Sequence, residues 1–242
     1  FSSRRRHTRF SGVTGVQTCA LPIFPGSWHV SDTTATDGRV IGERALQTRR
    51  RILETTAALL REQGALDLKV MDVAREVGAS PATFYQYFAD VEDAIFALSV
   101  EMIEKVAPIH AQMAADWNEG ASGLDHARRL VSEYTDFWDV NGAVLRIMLL
   151  RADERDERFR QLRRDYNAPF MTAMVAKVRA AQDSGRLTTA LDAEATAGAM
   201  LAALDRLPNY REGFEKRGTS REAMIETVAR LLYSSLTGAP LS

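Results

Sequence analysis

The chain holds one cysteine, Cys19, and four histidines in 242 residues. A lone cysteine excludes an intrachain disulfide and any cysteine-based zinc site. His7 and His29 stand near the start of the chain, and His110 and His126 fall in separate candidate helices. No pair has metal-ligand spacing, and the adjacent Asp125 and His126 point to different faces of a helix. No metal site and no cofactor are therefore expected. The chain also lacks a phosphate loop, a dinucleotide glycine fingerprint and a serine elbow, so no catalytic residue is assigned. No apolar run reaches the roughly 18 residues of a membrane span, and a cytoplasmic protein without a membrane partner is expected. Neither sign of charge dominates, with 31 Lys and Arg against 32 Asp and Glu. Strand alternation and internal repeats are missing too, which leaves an all-α fold.

What is present is concentrated between Val70 and Phe88. Val70, Val73, Ala74 and Val77 recur at helical spacing, so one face of a first helix is buried. Gly78 suits the left-handed residue that ends a helix. Ser80 is a strong N-cap and Pro81 fits the first helical position, so a second helix starts there. Phe84 and Phe88 lie four apart and face a core, leaving Ala82, Thr83, Tyr85, Gln86 and Tyr87 for other surfaces. Two short helices and a tight turn of this kind place the second helix in the DNA major groove. Thr83 suits a thymine methyl and Gln86 a bidentate pair with adenine. Tyr85 and Tyr87 suit phosphates, which fix register. Charge leans the same way. Residues 44–88 carry seven Lys and Arg against five Asp and Glu, whereas residues 89–242 carry nineteen against twenty-four. A mildly basic head on an acidic body fits phosphate binding through one face.

Residues 44–100 resemble the N-terminal DNA-binding domain of the TetR family of bacterial regulators. The resemblance rests on Thr48, Ile52, Gly64, Asp72-Val-Ala74, Gly78-Ala-Ser80 and Thr83-Phe-Tyr-Gln-Tyr-Phe88. It implies phosphate contacts from the start of the first helix and the tyrosine-rich end of the third. Thr48, Lys69, Ser80, Ala82, Thr83, Tyr85, Gln86 and Tyr87 are therefore the expected DNA-binding residues. Lys69 departs from the family's usual threonine cap: it cannot accept the cap hydrogen bond but could meet a phosphate. One of Arg49, Arg50 and Arg51 is also expected to do so. The rival reading is a helical ligand-binding or interaction protein whose head no longer functions, and Lys69 is its one hint.

Three segments are expected: a leader and linker over 1–43, the helix-turn-helix domain over 44–90, and a helical effector-binding and dimerisation domain over 91–242. The leader is basic at first, then aperiodic, then rich in Ser, Thr and Gly. It resembles a translated sequencing adapter joined to a reading frame that starts between about residue 27 and residue 43; the competing reading is a basic arm for DNA. Beyond it, helices are expected over 44–63, 91–114, 124–140, 143–153, 159–183, 192–208 and 221–236. The resemblance implies a homodimer that reads two half-sites of a duplex operator and releases it when a small effector binds. Met102, Trp117, Tyr134, Phe137, Trp138, Met148, Phe170 and Met174 are the expected pocket lining, with Arg146, Tyr166 and Asn167 as polar groups. That bias toward methionine and aromatics points to a bulky apolar effector. Met200, Leu201, Leu204, Met224, Val228, Leu231 and Leu232 on the last two helices are the expected dimer interface.

Overall fold

Short polar side chains set the starts of the helices. Asp90 accepts a hydrogen bond from the Asp93 N–H at 2.8 Å, Asp156 from Arg158 at 2.9 Å, and Asp192 from Ala195 at 2.8 Å. Ser220 does the same for Ala223 at 3.1 Å. Each bond satisfies a backbone donor that has no partner inside its helix. The computed structural model describes residues 42–63, 68–117 and 120–240. The expected leader, apart from its last two residues, lies outside the described residues, as does Gly64.

Among the described residues the chain forms nine helices and no strand: α1 Glu43–Gln63, α2 Val70–Val77, α3 Pro81–Tyr85, α4 Val91–Ala114, α5 Ala121–Asp153, α6 Glu157–Asp183, α7 Ala193–Asn209, α8 Arg211–Glu215 and α9 Arg221–Thr237. The first three make a head, in which α1 packs on α2 and α2 on α3. Helix α4 joins head to body, touching α1 as well as α5 and α6. Helix α6 lies at the centre of the body, in contact with α4, α5, α7 and α9. A single apolar cluster runs from Ile52 in the head to Leu236 in the body. Residue 90 is thus a capped turn and not a gap in the core.

One expectation needs correction, and two elements are added. The helices expected over 124–140 and 143–153 are one 33-residue helix, α5. Gly142 does not break it, because it serves packing: a Cβ there would stand 2.8 Å from Cε3 of the Trp138 ring. Helix α3 spans five residues, and Gln86 caps it. Helix α8 was not expected, since five residues carry too little periodicity to register.

Helices α5 and α9 are also tied at the surface. Arg128 reaches Glu226 at 2.6 and 2.8 Å, and Arg230 adds a bond at 2.6 Å. Hydrogen bonding from Arg128 first, with Arg230 helping, holds the Glu226 carboxyl down to about 2. Water screens such exposed pairs, so packing carries the contact between the helices.

Candidate functional site

The turn of the head is built from local rules. Gly78 adopts φ 71°, in the left-handed region. Its N–H reaches the Arg75 carbonyl at 3.1 Å and that of Ala79 reaches Ala74 at 2.9 Å, closing α2. Arg51 adds a cation at the same helix end, its guanidinium 2.8 Å from the Val77 carbonyl. Ser80 then caps α3, accepting from the Thr83 N–H at 3.1 Å. Phe84 and Phe88 are buried and meet with ring centroids 5.7 Å apart. They fix α3 against the core, so Ala82, Tyr85 and Gln86 stay exposed on one edge.

The expected DNA-facing residues divide. Lys69 is exposed at the start of α2 and its side chain makes no cap hydrogen bond, while Asp72 accepts from the Lys69 N–H at 3.3 Å. Asp72 is itself held by Arg75 at 2.8 Å. The Thr83 hydroxyl lies 3.0 Å from that of Ser80 and shares a hydrogen bond with it, and Tyr87 is half-buried against the core. The Thr48 hydroxyl donates to the Arg44 carbonyl at 3.1 Å. None of Arg49, Arg50 and Arg51 stands apart from the protein. Arg49 is buried with its guanidinium 5.2 Å from the Phe88 ring centroid, Arg50 pairs with Glu54 at 3.1 Å, and Arg51 holds α2.

In the body, Met102, Trp117, Tyr134, Phe137, Trp138, Met148, Phe170 and Met174 are all buried in the shared apolar cluster. Their rings pack on one another: Tyr134 meets Phe170 at 5.6 Å and Phe137 meets Tyr166 at 6.5 Å. Sequence reasoning missed Asp205. Tyr134 donates to Asp205 at 2.9 Å, and the Tyr134 and Tyr166 hydroxyls are 2.5 Å apart. Tyr166 therefore donates to Tyr134, completing a relay across α5, α6 and α7. The signal was a lone carboxylate four residues beyond Leu201, at the apolar phase of α7.

Burial pushes the Asp205 carboxyl above its ordinary value of 3.8, against the opposing bond from Tyr134. The folded state then binds this proton more tightly than the unfolded chain does. Stability is fully present below the unfolded value and falls as pH rises through the folded one. Asp205→Asn is expected to flatten that part of the pH profile, as measured by urea unfolding between about pH 4 and about pH 8. An unchanged slope would remove Asp205 as its source.

The two histidines of the body are also accounted for. His110 Nε2 lies 3.0 Å from the Tyr166 carbonyl, and His126 Nε2 lies 3.0 Å from that of Gln112. Burial drops the His110 pKa to about 4, which keeps its ring neutral. Among the described residues no three His, Cys, Asp or Glu side chains cluster as a metal site would need, and no helix is long and apolar enough to cross a membrane.

A groove of about 880 Å³ opens where the middle of α5, the end of α7 and α8 meet the last turn of α1. Of the eight expected pocket residues, Trp138 alone lines it, joined by Arg146 from the polar set. The remaining seven are closed core.

The expected dimer residues face largely inward. Leu201, Leu204, Met224, Val228 and Leu232 are buried within the subunit, Met200 is half-buried, and only Leu231 is exposed. The large apolar residues of α7 and α9 fill the subunit's own core. What these helices turn outward includes the small Ala195, Ala199 and Ala202 on α7 and Ala223 and Thr227 on α9, beside Leu231 and the charged Glu194, Arg206 and Glu222.

A capped helix-turn-helix on an all-helical body defines a DNA-binding regulator. Residues 52–98 match the sequence profile described as bacterial regulatory proteins, tetR family, and residues 110–241 match that of the tetracyclin repressor-like C-terminal domain. The chain belongs to the TetR family of transcriptional regulators, whose C-terminal domain binds ligands. Similar solved structures agree in fold. The fatty acid degradation regulator FadR of Bacillus halodurans is 18% identical, with a TM-score of 0.57 over 80% of this chain and 96% of that one. Salmonella enterica GusR is 20% identical, with a TM-score of 0.58 over 81% and 98%. FadR of Bacillus subtilis, solved with stearoyl-CoA, is 13% identical, with a TM-score of 0.55 over 79% and 99%.

Proposed function

We propose that this regulator is a cytoplasmic repressor that binds a pseudo-palindromic operator as a homodimer and is released by a small apolar effector. The observation that carries this reading is the exposed edge of α3. Ala82, Tyr85 and Gln86 face outward from a helix fixed by the Ser80 cap and the Phe84 anchor. In this docking the N-terminal part of α3 enters the major groove. Gln86 pairs with adenine, while Ala82 and the Thr83 methyl group lie against thymine. Tyr85, Tyr87, Thr48 and Lys69 serve phosphates, and Ser80 orders the helix end that approaches the duplex.

One head buries little DNA surface, so two are needed for a specific site. The small exposed residues Ala195, Ala199 and Ala202 on α7 and Ala223 and Thr227 on α9 support a twofold contact, because alanine and threonine let helices approach closely. Met200 and Leu231 border that contact, while Leu201, Leu204, Met224, Val228 and Leu232 support it from inside the subunit. An effector bound to the body acts by favouring a head spacing that no longer fits the two half-sites.

The test uses single-base variants of a selected site. Gln86→Ala is expected to relax preference at one base position by about 1–3 kcal/mol. Tyr85→Ala is expected to weaken all sites alike. If both variants keep the affinity and base preference of the parent, the reading surface lies elsewhere and a head without DNA-binding function becomes the better account.

A further inference from the structure

We propose that the groove between α1, α5, α7 and α8 is the effector site, and that it takes an anion attached to an apolar or aromatic body. This rests on the regulator reading above, places its effector, and adds an anionic group to the effector's apolar body. A volume of about 880 Å³ suits a small molecule of ordinary size. The groove is lined by more cations than its own carboxylates neutralise. Among the described residues Arg61 and Lys216 have no carboxylate partner. Arg146 meets only the neutral Asn209 side chain, at 3.2 Å, and Arg217 lies over the Phe214 ring at 5.0 Å. Of the lining acids, Asp139 is taken up by Arg211, with both oxygens at 2.6 Å, which leaves Glu212 alone against four cations.

The chain as a whole has a net charge of −1, so a cationic groove is a local arrangement and not a reflection of composition. Its apolar walls come from Phe214 and from Trp138. Clustered guanidinium groups beside flat apolar rings suit a carboxylate, sulfonate or phosphate on an aromatic or acyl body.

Position gives the groove its leverage. Arg61 belongs to the last turn of α1 in the head, whereas Arg146, Lys216 and Arg217 belong to the body. An anion held by both sides binds most tightly to one relative placement of head and body. That difference in affinity is what shifts a population between DNA-binding and released forms.

The experiment titrates the full chain with 8-anilinonaphthalene-1-sulfonate, followed by fluorescence, beside the uncharged N-phenyl-1-naphthylamine. The sulfonate is expected to saturate one site. Joint replacement Arg146→Ala and Arg217→Ala weakens it by about tenfold or more and leaves the neutral probe nearly unaffected. Glu212→Gln is expected to tighten the sulfonate about twofold, a gain that damaged folding does not produce. The sulfonate is also expected to lower affinity for a selected duplex, and Arg61→Ala to weaken that effect. Equal binding of both probes, indifference to the arginine and Glu212 variants, or sulfonate binding without any change in duplex affinity each overturns the proposal. A chain that binds no duplex even without probe instead overturns the regulator reading beneath it.

Discussion

Phe84→Ala is expected to cost about 3–5 kcal/mol, the range for truncating a buried phenylalanine. Phe84 is only 1% exposed and packs against Phe88 and Tyr85, with ring centroids 5.7 and 6.0 Å away. Helix α3 has five residues and makes almost no internal ladder of its own, so tertiary packing must hold it. Removing that ring takes away the principal anchor of the edge that presents Tyr85 and Gln86. Urea unfolding is expected to show the loss of stability, and duplex affinity should fall with it. The neighbouring Tyr85→Ala is the control. Tyr85 is 51% exposed, so its loss should change stability by about 0.5 kcal/mol or less while still weakening DNA binding. Equal destabilisation by the two variants would mean that α3 is not anchored through Phe84.

Gly142→Val is expected to cost about 3 kcal/mol, at the upper end of overpacking penalties. Added helix propensity offsets part of this, since glycine is the poorer helix former. Steric crowding wins because the Trp138 ring stands where the new side chain begins: a Cβ would lie 2.8 Å from Cε3 and 3.3 Å from Cζ3. Trp138 is itself 5% exposed and has little room to swing. In a Trp138→Ala background the valine should cost much less, giving a clear coupling in a double-mutant cycle. Additive losses would show that Gly142 is required for a reason other than the ring.

The parts of the molecule that could be read from sequence are those set by neighbours in the chain. Gly78, Ser80, Pro81 and Asp90 each act within four residues, so the turn of the head and the start of α4 followed directly. What failed depended on contacts across the fold. Asn141-Gly142 read as a break because nothing in the chain announces that the Trp138 ring covers the glycine. Helices α7 and α9 showed their periodicity but not which side meets their own subunit. The large apolar stripe proved to be the internal one. Methionines and aromatics read equally well as pocket or core, and here they mostly fill the core. The relay from Tyr166 through Tyr134 to Asp205 joins residues far apart in sequence, and only the odd polar position in α7 hinted at it.

The measurement that tests the central claim most directly is selection of binding sites from random duplex DNA by the full chain, at a stated salt concentration. The account predicts enrichment of an inverted repeat whose half-sites lie about one helical turn apart, bound by a dimer. Recovery of no shared sequence by a folded chain, both alone and with the groove probe present, would contradict it.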